Sequence, residues 1–269
     1  MSESPHTISI QPEEIHFWQT SVDHYSEATL RQFYTWLSPE ELSQYDRFSL
    51  DSLKIRYLVT RGFVRKLLSD YLGNTPQALQ FIKNKYGKPS LSAKYQPPDY
   101  TLEFNLSHTN NVIVCGISRN HEIGIDIENY TRSIHLEGIA KRFYAPSEME
   151  SIFRLPEPSQ AIRFFSYWTL KESFLKALGT GIAFPLSDVI FDISAEDSLI
   201  DLSFGKNIKE SPAQWQFCLF NHLSHDLISI CVRKNELKSI SLKFWELVDS
   251  NNHPFLFQRI FLRKGTWNI

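Results

Sequence analysis

The sequence predicts an α+β protein of two halves, each combining helices with short strands. Three observations lead there. Apolar residues recur at helical spacing over 50–72 and again over 161–178, the i, i+3, i+4 pattern of a helix with one buried face. Short runs rich in β-branched and aromatic residues stand between turn signals, as strands do. Finally, Phe104-Asn105-Leu106-Ser107-His108 leading to Ile113-Val114-Cys115 is echoed by Phe220-Asn221-His222-Leu223-Ser224-His225 leading to Ile228-Ser229-Ile230-Cys231. The echo reads as an internal repeat or as a chance match of short strings. With the turn Arg119 to Glu122 as the boundary, the halves span 1–120 and 121–250, and 251–269 is a C-terminal extension.

Ser38-Pro39-Glu40-Glu41-Leu42 has a capping serine followed by proline at the first helical position, the start of a helix. A long helix should run from about Leu50 to Leu72, burying Ile55, Leu58, Val59, Phe63, Leu67 and Leu68, with Gly73-Asn74 as its stop. A short element is expected within 75–86 and a loop at Lys94 to Asp99. Strands are expected at Tyr100 to Leu106 and Val112 to Ser118. In the second half the spacing predicts a strand at Ile123 to Glu128, helix around Glu137 to Phe153, a break at Pro156 and Pro158, and a helix from about Ala161 to Leu178 stopped by Gly179. Strands at Asp188 to Ile193, Leu199 to Phe204, Trp215 to Asn221, Leu227 to Arg233 and Ser241 to Glu246 complete it.

Composition excludes several classes. A net charge of −2 sets up no global field for nucleic acid, so a polyanionic ligand would need locally gathered cations. Cys115, Cys218 and Cys231 form no C-x-x-C pair, which points to a reducing, cytoplasmic setting. No apolar run approaches the ~18 residues of a membrane span, and Met1 to Ile10 lack the basic start and apolar core of a signal peptide. The nine histidines make no H-E-x-x-H or other zinc spacing. Ser107-His108 sits outside any G-x-S-x-G elbow, against a serine hydrolase.

Chemistry gathers in two segments. Ile123-Gly124-Ile125-Asp126-Ile127-Glu128 alternates strictly, so the isoleucines face a core while Gly124, Asp126 and Glu128 share the other face. The two acids, roughly 6.6 Å apart by the strand rise, repel by roughly 2.5 kcal/mol at an effective dielectric of about 20. A divalent cation reverses that cost, and two carboxylates with open space at Gly124 suit Mg²⁺; a pair of solvated acids at a strand end is the plainer reading. The second segment, Trp168-Thr169-Leu170-Lys171-Glu172-Ser173-Phe174-Leu175-Lys176, puts Glu172 and Lys176 on one flank of a helix, either as a third acid with a cation or as an i,i+4 surface pair. Lys171 projects into the apolar stripe, where an ammonium must snorkel or reach a buried anion.

Together these segments resemble the G-[IV]-D-[IV]-E and W-x-x-K-E-x-x-x-K signatures of the 4'-phosphopantetheinyl transferases, in their two-domain, surfactin-synthase-activating and lysine-pathway type. Gly87-Lys88-Pro89, Phe104-Asn105-Leu106-Ser107-His108 and Lys141-Arg142-Phe143-Tyr144 match further family elements in order, and the resemblance runs from about Ser38 to about Gly181. It implies two similar halves related by a pseudo-twofold, each a small antiparallel sheet packed with helices, with the active site in the cleft between them. It implies transfer of the 4'-phosphopantetheine arm of coenzyme A to a serine of an apo acyl or peptidyl carrier protein, releasing 3',5'-ADP, by a cytoplasmic monomer. Asp126, Glu128 and Glu172 would bind Mg²⁺, Glu172 would be the general base, and Lys171 and Lys176 would neutralise phosphate charge. Arg56 would hold the 3'-phosphate, with Lys88, Ser107 and His108 as further coenzyme A contacts. Lys141-Arg142-Phe143-Tyr144 would anchor an acidic carrier, unless the aromatic pair is core. Glu41 and Gln44 stand where some relatives carry lysines for the 3'-phosphate. A Mg²⁺-dependent nucleotide or coenzyme A phosphohydrolase, and a non-catalytic carrier or coenzyme A binding module, are the alternatives.

Overall fold

The computed structural model describes residues 7–193, 200–222, 225–234 and 240–249, together with the backbone of 254–256. Ser224 and most of the 251–269 extension therefore lie outside the described residues. The first half contains strand β1 (Glu14–Ser21), helices α1 (Glu27–Trp36), α2 (Pro39–Asp46) and α3 (Asp51–Leu72), a small hairpin β2 (Phe81–Lys83) and β3 (Pro89–Leu91), and the antiparallel pair β4 (Leu102–Thr109) and β5 (Val112–Arg119). The second contains β6 (Ile123–Asn129), α4 (Leu136–Phe143), α5 (Pro146–Phe153), α6 (Glu157–Leu178), β7 (Val189–Ile193), β8 (Ile200–Phe204), β9 (Trp215–His222) and β10 (Asp226–Arg233). β11 (Ser241–Leu247) and β12 (Pro254–Leu256) follow.

Local chemistry sets most boundaries. Ser38 caps α2 through Glu41 N while the Glu41 carboxylate returns to Ser38 N, a reciprocal box that satisfies two donors with no helical partner. Both long helices stop at a left-handed glycine, Gly73 at φ 63 and Gly179 at φ 68, a conformation that costs glycine little. Pro158 does not break α6 as the sequence suggests. It sits in the first turn, where its missing N–H has no helical partner to lose.

Four layers result. One sheet has strand order β12, β11, β1, β5, β4 and another has β6, β10, β9. Alternation along the strands sorts side chains to three cores. Ile113, Cys115 and Ile117 of β5 pack with Leu58, Phe63 and Leu67 of α3, while Phe217 and Leu219 of β9 pack with Phe164, Leu170 and Phe174 of α6. Val114 of β5, Ile15 and Phe17 of β1, the three β6 isoleucines, and Cys218 and Phe220 of β9 form a middle core between the sheets.

Two features depart from the sequence expectation. β1 and α1 are not signalled by the sequence pattern, although β1 pairs with both β5 and β11. β11, expected to complete the second half, instead lies parallel to β1 in the first half's sheet. A division at 120 and 250 therefore cuts through that sheet.

Candidate active site

The site is built on β6. With its isoleucines in the middle core, Gly124, Asp126 and Glu128 turn toward α6. Gly124 does not leave open space as the sequence suggests. A Cβ there would lie 1.9 Å from Ser173 O and 2.3 Å from Ala177 N, so the glycine lets the α6 backbone lie directly on the strand. That contact carries Lys176 to Asp126, Nζ to Oδ1 2.6 Å. Ser107 Oγ donates to the same Oδ1 at 2.9 Å and accepts from Lys176 Nζ at 2.8 Å. Asp126 is buried, and its Oδ2 has no hydrogen-bond partner among the described residues.

The other edge of β6 is held by side chains of the first half. Lys88 Nζ donates to Ile123 O at 3.2 Å and to Ala177 O, in the last turn of α6, at 2.8 Å. Asn105 Oδ1 accepts from Ile125 N at 3.0 Å, and Ser107 Oγ from Ile127 N at 3.3 Å. Asn105 and Ser107 point the same way because they are two apart on β4, and their spacing matches alternate N–H groups of the neighbouring strand. Asn84 Nδ2 adds a bond to Gly179 O at 2.8 Å. The Gly-Lys-Pro and Phe-Asn-Leu-Ser-His elements thus stitch β6 and α6 to the first half, a role that local sequence cannot display.

Electrostatics at the site are strained by burial. Glu128 accepts from Trp168 Nε1 at 3.1 Å and pairs with Arg132 at 3.3 Å, yet burial, seconded by the Asp126 charge, pushes its carboxyl up to about 7. Burial and then Asp126 also raise the Glu172 carboxyl, against the pull of Lys176. His108 is held below its ordinary value by burial, with the Arg56 and Lys176 charges adding to it. Two hollows flank this centre. One of about 230 Å³ is lined by Gly87, Lys88, Leu106, Glu172, Leu175 and Lys176 among others. The other, of about 450 Å³, is lined by Arg56, His108, Thr109, Asn110, Asn129, Thr131 and Arg132.

Comparison with known proteins places both halves in one family. Residues 122–232 match the model of the 4'-phosphopantetheinyl transferase superfamily, and residues 17–119 match that of the 4'-phosphopantetheinyl transferase N-terminal region. The chain is 36% identical over 179 residues to the 4'-phosphopantetheinyl transferase HetI of Nostoc sp., covering 66% of this chain and 74% of that one. The chain belongs to the 4'-phosphopantetheinyl transferase superfamily. It is also similar to the transferase gsp of Aneurinibacillus migulanus, 30% identical over 207 residues with 74% and 82% covered, and to Sfp of Bacillus subtilis, 33% identical over 155 residues with 58% and 66% covered.

Within this transferase one expectation needs correction and one alternative is decided. Lys171 does not reach the site. It is fully buried in the second half, pairs with the equally buried Glu148 at 2.8 Å, and donates to Leu186 O and Val189 O. The anionic partner that its place in the apolar stripe demanded is Glu148, which itself accepts from Ala145 N and Phe191 N. In Lys141-Arg142-Phe143-Tyr144 the aromatic pair faces inward: Tyr144 is 3% exposed and donates to Phe164 O, and half-buried Phe143 packs edge-on to Trp168 against the core. Lys141 is exposed and pairs with Glu137 on its own helix. The sequence pattern places Trp168 on the apolar face of its helix and in the motif but not at Glu128, and gives no signal for Arg132; a ring N–H on the helix one turn before Glu172 was the available signal for the first.

Proposed function

We infer that this enzyme transfers the 4'-phosphopantetheine arm of coenzyme A to a serine hydroxyl of an apo acyl or peptidyl carrier protein, releasing 3',5'-ADP. The observation that carries the reading is the meeting of Asp126, Glu172 and Lys176 where β6 and α6 touch, in a chain whose halves both match the family. We further read the halves as related by a pseudo-twofold, since each lays a 22-residue helix on antiparallel strands.

The donor set fits Mg²⁺. Among the described residues Asp126 Oδ2 is buried without a partner and Glu172 makes no hydrogen bond, and Glu128 is costly to ionise where it stands. Hard carboxylate oxygens of this kind are what Mg²⁺ takes. Among the described residues no group of three or more metal-ligating side chains is gathered ready to hold an ion, and Lys176 now compensates Asp126. Asp126, Glu128 and Glu172 would hold Mg²⁺, which when bound would neutralise the pyrophosphate.

The protein's own groups do the rest. Glu172, its basicity raised by burial, accepts the proton of the carrier serine as Oγ attacks the phosphorus bearing the pantetheine arm. The bond from that phosphorus to the bridging oxygen breaks, and 3',5'-ADP leaves with the electron pair. Lys176, on the same flank of α6, neutralises the charge that develops there. Arg56 and His108 line the hollow for the nucleotide end, and the hollow beside Glu172 receives the pantetheine arm. Buried, unpaired Cys115, Cys218 and Cys231 support a reducing, cytoplasmic setting, and no helix of the described residues is long and apolar enough to cross a membrane. A monomer without a nucleic-acid partner completes the reading.

Incubation with coenzyme A, Mg²⁺ and an apo carrier, followed by mass spectrometry of the carrier, tests it. The expected result is a carrier heavier by one phosphopantetheine, with 3',5'-ADP appearing in step. EDTA should stop the reaction and Mg²⁺ restore it, and Asp126→Ala, Glu128→Ala or Glu172→Gln should each lower turnover at least ~100-fold. Coenzyme A consumed with the carrier unchanged would make the protein a phosphohydrolase instead; coenzyme A bound but intact would make it a binding module.

A further inference from the structure

Among the described residues, the lining of the hollow that holds His108 includes no side chain of helix α2. Glu41 turns inward, 2.7 Å from buried Arg65 and 3.8 Å from Arg61. Gln44 lines a different surface hollow with Pro39, Glu40, Ser43 and Arg47. The hollow that holds His108 does receive two guanidinium groups, one from each half: Arg56 from α3 and Arg132 from the segment after β6. Arg56 has no ion-pair partner among the described residues. The Arg132 side chain is 53% exposed, with Glu128 at 3.3 Å and the Phe165 ring centroid at 5.5 Å. Its segment is anchored, since Asn129 donates to Asp226 at 2.7 Å and accepts from Thr131 N at 3.1 Å.

We propose that Arg132 binds the terminal phosphate of the nucleotide together with Arg56, the other guanidinium that lines this hollow. The proposal rests on the transferase reading. Two planar guanidinium groups lining one hollow match a phosphomonoester, which carries close to two charges and three acceptor oxygens, better than they match a singly charged diester. The polar lining from Thr109, Asn110, Asn129 and Thr131 offers further hydrogen bonds to the same group.

Calorimetric titration with 3',5'-ADP and with 5'-AMP, both without Mg²⁺, isolates the terminal phosphate from metal binding. Wild type should bind 3',5'-ADP the more tightly. Arg132→Ala should weaken 3',5'-ADP by about ten- to hundredfold, as expected for a lost hydrogen bond to a charged group, while 5'-AMP changes less than about twofold. Arg132→Lys, which keeps a charge beside Glu128, should recover part of the loss, because an ammonium cannot form the bidentate contact. In steady state the coenzyme A KM should rise with kcat held, and the preference over dephospho-coenzyme A should shrink. Equal losses for both nucleotides, or an unchanged preference for 3',5'-ADP, would overturn the assignment of Arg132. Wild type binding neither nucleotide would instead remove the transferase reading beneath it. Melting temperatures of the variants separate these outcomes from unfolding.

Discussion

Lys171 and Lys176 lie five positions apart on one helix and do different work. Removing one partner of a buried ion pair strands the other charge, so Lys171→Ala should cost about 3–5 kcal/mol of stability while the folded fraction keeps its kcat; denaturant melts beside single-turnover rates check this. Lys176→Ala should show the opposite pattern, with turnover falling in a protein of near-normal stability. Glu128 adds a pH signature. Its folded carboxyl stands at about 7 against an ordinary 4.5, so the contribution to stability is present below about 4.5 and is lost as pH rises through about 7. Melting temperature in EDTA should therefore decline over that window more steeply for wild type than for Glu128→Gln. Saturating Mg²⁺ should reverse the difference, because the metal takes the ionised form. A wild-type curve parallel to that of Glu128→Gln in EDTA would mean that Glu128 ionises without penalty. His108→Ala should weaken coenzyme A binding by about 1.5–3 kcal/mol, the loss for a hydrogen bond to a charged group. His225, which is exposed and touches the Tyr130 ring, should tolerate alanine within about 0.5 kcal/mol.

At the scale of elements, the decisive contact is the seating of α6 on β6 through Gly124. Gly124→Ala places a methyl against Ser173 O and Ala177 N, backbone atoms that can move only if the helix moves. Lifting α6 carries Glu172 and Lys176 away from Asp126 together. We expect a stability loss at or above the 1–3 kcal/mol of ordinary overpacking, and a fall in turnover of the folded enzyme beyond tenfold. Turnover per folded molecule equal to wild type would show that the helix position does not set the site. The opposite edge of β6 behaves differently, because Asn105, Ser107 and Lys88 substitute for a neighbouring strand by side-chain hydrogen bonds.

For the whole molecule, the parallel pairing of β11 with β1 means that the first half's sheet needs the end of the described chain. The middle core likewise draws Ile15, Phe17 and Val114 from one half and Ile125, Phe220 and Ile230 from the other. Residues 1–120 expressed alone should therefore lack cooperative unfolding and exchange their amides rapidly, since they would bare an apolar sheet face and the edge of β1 to water. A cooperative, protected fragment would show that the halves fold independently.

What the sequence determined by itself is what local chemistry encodes: the helix periods of α3 and α6, their glycine stops, the Ser38 capping box, the alternation of β6 and the family signature with its two acids on one face. β1 escaped because it is buried on both faces, and a strand covered on both sides shows no polar alternation to read. The partner of Lys171 was legible as a necessity, an anion in the core, but not as Glu148. That Gly124 is filled by α6, that Asn105 and Ser107 bond β6 backbone, that Trp168 orients Glu128 and that Glu41 faces Arg65 rather than the hollow were decided only by the tertiary structure. Each joins residues at least 20 positions apart, and no local pattern records which distant backbone or charge a side chain will meet once the sheets have packed.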